Sequence, residues 1–411
     1  MQQISQNNAM ITAQDYAQLR TLMEYRISKT SVDFHRYLYY TINWNNRLIG
    51  IKGCRGVGKT TLLLQHIKET FADRSQVLYV SLDNLWFKTH DVAELVQYHY
   101  THGGTYVFFD EIQCYPDWQF LLKNIYDNYP DMYVVYTGSS MLQMHAHEGD
   151  LSRRARSYTL YGMSFREFMQ LEGCEVGEAV ALEDLLTNHT AIATNIFTKV
   201  KVLPLFERYL KHGYYPFYQA EADGFGERLQ TVIKRVIEED VPMVEDVDFS
   251  TLQKVQKMLV VLAERVPLQP KMAELFRVLD TNRNTGMKML YLLERASMLA
   301  LYSSEIRSLK SLIKPDKIYL DNTNLMYALS QHVDEETLRE TFFYNQLKVL
   351  HEILLPKQGD FLVDNQYLFE VGGASKTFEQ IKDQPNSFLA VDDVEMGVGN
   401  RIPLWMFGLL Y

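Results

Sequence analysis

The stretch Gly53-Cys54-Arg55-Gly56-Val57-Gly58-Lys59-Thr60 fits the spacing G-x-x-x-x-G-K-[ST] at every fixed position. Such a loop can cradle the phosphates of a nucleoside triphosphate. Gly53, Gly56 and Gly58 permit backbone angles closed to other residues and bring N–H groups close to phosphate oxygens. Lys59 supplies a point charge for the β and γ phosphates, and Thr60 a hydroxyl for Mg²⁺. Cys54, Arg55, Val57 and Thr61 belong to the same expected nucleotide contact, with Cys54 as a tolerated small side chain rather than a redox switch. ATP and Mg²⁺ are the expected ligands.

A second set of residues could act on that ligand. The apolar run 105–109 ends in Asp110-Glu111. An acidic pair at the carboxyl end of a buried strand lies where a parallel sheet places its chemistry. Asp110 is expected to hold Mg²⁺ with Thr60, and Glu111 to orient or deprotonate the attacking water. The run 132–136 is followed by Thr137-Gly138-Ser139-Ser140; Thr137 and Ser139 are candidates either to sense the γ-phosphate or to cap the helix expected over 141–147. Arg153, Arg154 and Arg156 then cluster. They read equally as a solvated basic turn or as a source of a guanidinium for the γ-phosphate, given in cis or by a neighbouring subunit.

The elements that must position these residues are legible in outline. Residues 47–51 form a buried strand before the loop, and 61–71 have helix-forming composition after it. The near-continuous apolar runs 77–82, 105–109 and 132–136 alternate with helical patterns. That alternation predicts an α/β fold, a parallel sheet covered by helices on both faces. Residues 13–45 carry helical spacing in Leu19, Leu22, Met23, Tyr25, Phe34, Tyr37, Leu38 and Ile42, a helical preface whose Arg26 and Arg36 are expected on a solvated face rather than, as the alternative, near the nucleotide.

The order GCRGVGKTT, YVFFDEIQ, VVYTGSS, LSRRA and SFREF resembles the prokaryotic AAA-type ATPases of the ASCE P-loop division. The resemblance implies an ATPase domain followed by a winged-helix domain and a C-terminal domain of PD-(D/E)xK nuclease type. It implies Lys59 and Thr60 in Walker A, Asp110 and Glu111 in Walker B, and a polar sensor over 137–139. An L-x-G-R segment of the family falls on Leu151-Ser152-Arg153-Arg154, which makes Arg154 the matched arginine and puts Arg153 in place of a glycine. The nuclease motif would need an Asp and then (Asp/Glu)-x-Lys; the chain has Asp360, Glu370 and, at the lysine position, Gly372. Lys376 is the candidate migrated lysine of a degenerate site that no longer cuts. The expected domains are 1–170 for the ATPase with its preface, 171–248 for a helical connection, 249–330 for the winged helix and 335–411 for the nuclease-like domain.

Within 252–321 three helical patterns precede wing strands at 298–302 and 317–320. Arg283, Lys288 and Arg295 on the third helix, with Arg307, Lys310, Lys314 and Lys317 on the wing, form a basic cluster that suits either DNA phosphates or a protein contact. Glu238-Glu239-Asp240 is expected as a solvated acidic helix end, and 402–411 as a final core strand or an interface. The net charge of −10 argues against a whole-surface nucleic-acid binder. Three scattered cysteines form no disulfide framework, which points to a reducing cytoplasm. The first residues lack a signal-peptide pattern, and no apolar run nears the length of about 18 residues that spans a bilayer, so no membrane association is expected. The expectation is thus an ATPase acting on DNA or a protein partner, with a second copy of the chain as a candidate source of Arg154. A binding switch with little turnover and an ATP-gated nuclease are the alternatives.

Overall fold

The computed structural model describes residues 10–138, 151, 153–220, 222–243, 247–264, 272–302 and 315–411. Ser139, the helix expected over 141–147, and Arg307, Lys310 and Lys314 lie outside the described residues. The chain divides into two compact units, Met1–Tyr161 and Gly162–Tyr411.

In the first unit the four apolar runs become the parallel strands β1 (Leu48–Lys52), β2 (Val77–Ser81), β3 (Tyr106–Asp110) and β4 (Tyr133–Gly138), and the more polar β5 (Arg156–Thr159) adds a fifth. Their spatial order is β2-β3-β4-β1-β5. β1 and β2 are buried at every residue, as strands covered on both faces should be. The helices are α1 (Ala13–Lys29), α2 (Leu38–Thr41), α3 (Lys59–Thr70), α4 (Val92–Thr101) and α5 (Trp118–Asn128). Thr12 starts α1 through a capping box with Asp15, and Leu19, Met23 and Ile27, four apart, form its buried stripe. Leu22 and Tyr25, expected on that face, are 39% and 61% exposed. The preface is therefore two helices rather than one run, and residues 30–37 between them are not helical.

The second unit begins with four helices, α6 (Phe165–Leu171), α7 (Leu182–Phe197), α8 (Val202–Arg208) and α9 (Phe225–Arg235). Three more follow, α10 (Phe249–Ala263), α11 (Met272–Val278) and α12 (Arg283–Arg295), and then an antiparallel pair, β6 (Leu299–Tyr302) with β7 (Lys317–Leu320). Gly286 in α12 lets the helix meet α11 closely; a Cβ there would lie 2.3 Å from the Phe276 ring. After α13 (Thr323–Leu329) and α14 (Glu335–Leu347) comes a mixed sheet of β8 (Ile353–Leu354), β9 (Phe361–Val363), β10 (Tyr367–Gly372), β11 (Ser387–Val391) and β12 (Arg401–Pro403). Its order is β12-β11-β10-β9-β8, parallel from β10 through β12 and antiparallel from β8 to β10.

Two expectations fail here. Residues 402–411 are not a core strand: β12 stops at Pro403 and a 3₁₀ turn, Leu404–Leu409, carries the apolar residues inward. Phe407 packs at 4.8 Å from Phe343 and 5.5 Å from Phe369. A short apolar run has no period that separates strand from helix, and proline cannot donate to a further ladder. Asp240 is not part of a solvated helix end, because it is 2% exposed while Glu238 and Glu239 are exposed. Among the described residues no helix is long and apolar enough to cross a membrane.

Candidate functional site

The 53–60 loop leaves β1 and enters α3. Gly56 and Gly58 take φ of 86° and 99°, the left-handed region open to glycine. Gly53 is required for a different reason: a Cβ there would lie 2.3 Å from the Leu160 carbonyl oxygen. Gly58 caps α3 without a side chain, so the first-turn N–H groups and the positive end of the helix are presented to an anion. Lys59 is buried and donates to the carbonyls of Gly53 at 2.8 Å and Cys54 at 2.9 Å. Burial lowers its pKa, against the opposing pull of Glu111. Cys54 is buried, Arg55 half-buried and Thr61 exposed.

The carboxyl ends of β3 and β4 meet α3 beside this loop. Asp110 is 2% exposed and accepts from Thr60 Oγ1 at 2.7 Å, from Tyr79 Oη at 3.0 Å and from Thr137 Oγ1. Burial pushes its carboxyl up, with the Glu111 charge adding to the rise and the three hydroxyls opposing it. Thr137 is fully buried and also accepts from the Glu111 backbone N–H at 3.3 Å. Glu111 has a left-handed backbone, φ 52°, and its Oε2 accepts from Gln113 Nε2 at 2.5 Å. Thr60, Asp110, Glu111 and Thr137 are thus brought together. A hydroxyl beside a buried carboxylate is a hard-oxygen donor pair of the kind Mg²⁺ takes next to phosphate, and a cation there offsets the burial of Asp110.

Three further residues contribute; the sequence left Arg26 and Arg36 open between the nucleotide and solvent and gave Tyr79 no role. Arg36, expected on a solvated face, is 4% exposed and bridges the P-loop carbonyl of Val57 to the Tyr161 carbonyl, the latter at 2.7 Å. Arg26 reaches Tyr79 Oη at 3.0 Å, and Tyr79 in turn reaches Asp110. Burial drives the Tyr79 phenol well above its ordinary range, with the Asp110 charge adding to the rise. No local pattern marks these residues, because their partners lie 21 to 125 positions away.

Arg154 does not join them. It pairs with Asp127 through Nε at 3.1 Å and its second nitrogen at 3.2 Å. Arg156 opens β5 opposite Ile49, whereas the phosphate loop follows Lys52 at the other end of the same strands. Arg47, Arg153, Arg154 and Arg156 line a cavity of about 440 Å³ at that opposite end of the strands, roughly a strand length or about 15 Å from the loop.

In the second unit Lys376 Nζ lies 2.7 Å from Glu370 Oε1. A Cβ on Gly372 would fall 2.7 Å from Lys376 Cδ, so the lysine chain fills the space that the glycine leaves. Asp360 accepts from the Val371 N–H at 2.8 Å and faces Lys317 at 3.8 Å. Glu340 on α14 pairs with Lys317 at 3.3 Å and accepts from Tyr319 Oη. Lys317 is therefore tied to carboxylates and is not a free cation of the basic cluster. Burial raises the carboxyls of both Glu340 and Glu370. Glu370 Oε2 is buried without a hydrogen-bond partner among the described residues. Arg283 and Lys288 are exposed beside a cavity of about 430 Å³ at the start of α12, and Arg295 is half-buried.

Residues 45–169 match the family described as AAA domain, and residues 203–336 match a domain of unknown function. A curated relative, an uncharacterized protein of Methanocaldococcus jannaschii, is 30% identical over 299 residues, covering 69% of this chain and 61% of that one. This chain thus spans less than two thirds of that relative's length. Among solved structures, PCH-2 of C. elegans is 15% identical over 40% of this chain and 47% of its own, with a TM-score of 0.23. AMPPCP-bound DnaA of Aquifex aeolicus is 13% identical over 72% and 94%, with a TM-score of 0.25. The Hsp104–ADP complex of S. cerevisiae is 15% identical over 67% and 41%, with a TM-score of 0.30. Likenesses this low carry no argument about function. The first unit contains an AAA-type P-loop domain, and the fold is α/β with a five-stranded parallel sheet.

Proposed function

We propose that this AAA-type domain binds Mg·ATP on the 53–60 loop and hydrolyses its terminal phosphoanhydride. One observation carries the reading: Thr60, Asp110, Thr137 and Glu111 are joined by hydrogen bonds at the mouth of that loop. Lys59 trades its bonds to Gly53 and Cys54 for phosphate oxygens. Thr60 and Asp110 would hold Mg²⁺, which would supply charge neutralisation at the phosphates. Glu111 accepts a proton from the attacking water, and Thr137 fixes the backbone from which that carboxylate projects. Ser139 remains a candidate sensor from the sequence alone. Arg154 is assigned to the site of a neighbouring copy, since it lies at the opposite end of the strands from its own loop. Glu111→Gln is expected to keep ATP binding and to lower turnover by about 10²- to 10⁴-fold, the usual range for a general base. Turnover equal to the parent's sinks the assignment. A pure binding switch predicts instead that steady turnover stays at the level of Lys59→Ala.

The second unit is proposed to engage DNA or a protein. The exposed Arg283 and Lys288 support the DNA reading. Turnover that rises with duplex DNA and loses the rise steeply with salt is its expected sign; turnover indifferent to DNA favours a protein. A nuclease reading is favoured by the Lys376 ammonium 2.7 Å from Glu370, despite the glycine at the motif's lysine position. Mn²⁺-dependent cleavage that vanishes in Glu370→Ala supports it, and absence of cleavage in the parent leaves a degenerate site.

A further inference from the structure

The largest cavity among those described holds about 1070 Å³ and lies in the first unit between α4 and α5. None of the 53–60 loop, Asp110, Glu111 or Thr137 lines it. Its chemistry is one-sided. Asp83, Asp91, Glu94 and Asp117 contribute four carboxylates against the single charge of Lys88, with His90 beside them. Asp83, Glu94 and Asp117 are exposed. Aromatic surface lies among these acids in Phe87, Tyr115 and Phe120, and Phe120 is 56% exposed. An outward phenylalanine on a cavity wall is a poor choice for solubility and a good anchor for a ligand.

The sign of the charge limits the occupant. A nucleic-acid backbone or a nucleotide would be repelled by four carboxylates. The acids do not converge on a single point: among the described residues no group of metal-ligating side chains is close enough to hold an ion. The volume is also at the top of the range for small-molecule sites, about 300–1,000 Å³. A chain segment bearing arginine or lysine satisfies all three limits. Guanidinium groups pair with carboxylates and stack on aromatic faces, while apolar neighbours cover Phe120.

We propose that the α4–α5 groove binds a cationic, partly apolar peptide segment of a partner protein. Electrostatic complementarity of this kind sets association rate and partner choice more than bulk affinity. The site is separate from the phosphate loop, so its occupancy does not depend on the ATPase reading.

The test uses the full chain without nucleotide. The probe is a short fluorescein-labelled peptide alternating arginine with leucine and tyrosine, followed by fluorescence anisotropy. Its counterpart has glutamate for every arginine. The arginine peptide is expected to bind at least about tenfold more tightly than the glutamate peptide, and less tightly as salt rises. The double variant Glu94→Lys with Asp117→Asn should lose about tenfold or more; asparagine tolerates the left-handed backbone of Asp117, φ 53°. Asp91 is left intact because it caps α4 through the N–H groups of Ala93 and Glu94. Phe120→Ala removes an exposed side chain and keeps the test independent of folding. Equal binding of the two peptides, or parent-like affinity for the arginine peptide in both variants, overturns the proposal.

Discussion

Arg36→Ala is the sharpest test of how the phosphate loop is held. The Arg36 guanidinium is buried and donates to the Val57 carbonyl within the loop and to the Tyr161 carbonyl beyond β5. A hydrogen bond to a charged donor contributes about 1.5–3 kcal/mol, and an acceptor left buried without one costs about 1–3 kcal/mol. The Val57 bond is buried and the Tyr161 bond only part-buried, so truncation is expected to lower stability by about 3 kcal/mol in total. About 2 kcal/mol of that belongs to the loop. A loop released by this amount must be reordered when ATP binds, which raises Kd by about 30-fold. Arg36→Lys keeps the charge but lacks the planar fork that spans two carbonyls, so it should fall between. Kd is read by titration with a fluorescent ATP analogue, and stability by urea unfolding, at a temperature where the variant is folded. An Arg36→Ala protein that binds ATP within about threefold of the parent refutes the buttress.

Three further outcomes follow from the geometry. His66 stacks on Trp44 at 3.7 Å, His99 is fully buried, and burial pushes both imidazoles down to about 4. Their folded values lie below the ordinary value of about 6.5, so the unfolded chain takes up protons first; stability is full above about pH 6.5 and drains toward pH 4, by at most about 3 kcal/mol per histidine. Urea unfolding across that window should show the loss, and replacing both histidines with glutamine should flatten it; an unchanged slope in the double variant contradicts the cause given. Arg154→Ala should unfold much like the parent, since its partly exposed pair with Asp127 contributes no more than about 1 kcal/mol. If Arg154 serves a neighbouring copy, mixing Arg154→Ala with Lys59→Ala restores turnover above either alone, and no recovery on mixing excludes the trans role. Gly53→Ala should abolish nucleotide binding, because its Cβ meets backbone at Leu160 rather than a movable side chain; binding within about tenfold of the parent would falsify that account.

Local pattern decided the nucleotide end of this chain. The loop spacing, the buried strands and the acidic pair at the end of β3 are short-range features, each carried by fewer than ten consecutive residues, and period and turn chemistry suffice to find them. Helices α10 to α12 and the antiparallel β6–β7 pair were equally legible for the same reason. Tertiary structure decided the rest. Arg36 and Lys317 look like surface cations in the sequence, yet each is committed to partners that only folding brings near. Lys376 reaches Glu370 because Gly372 leaves its chain room, which no spacing rule anticipates. Arg154 comes two residues before β5 but at the wrong end of the strands for its own loop, since strand direction separates the two ends. The acidic α4–α5 groove is likewise assembled from segments either side of β3, so its one-signed charge exists only once the sheet has set those helices side by side.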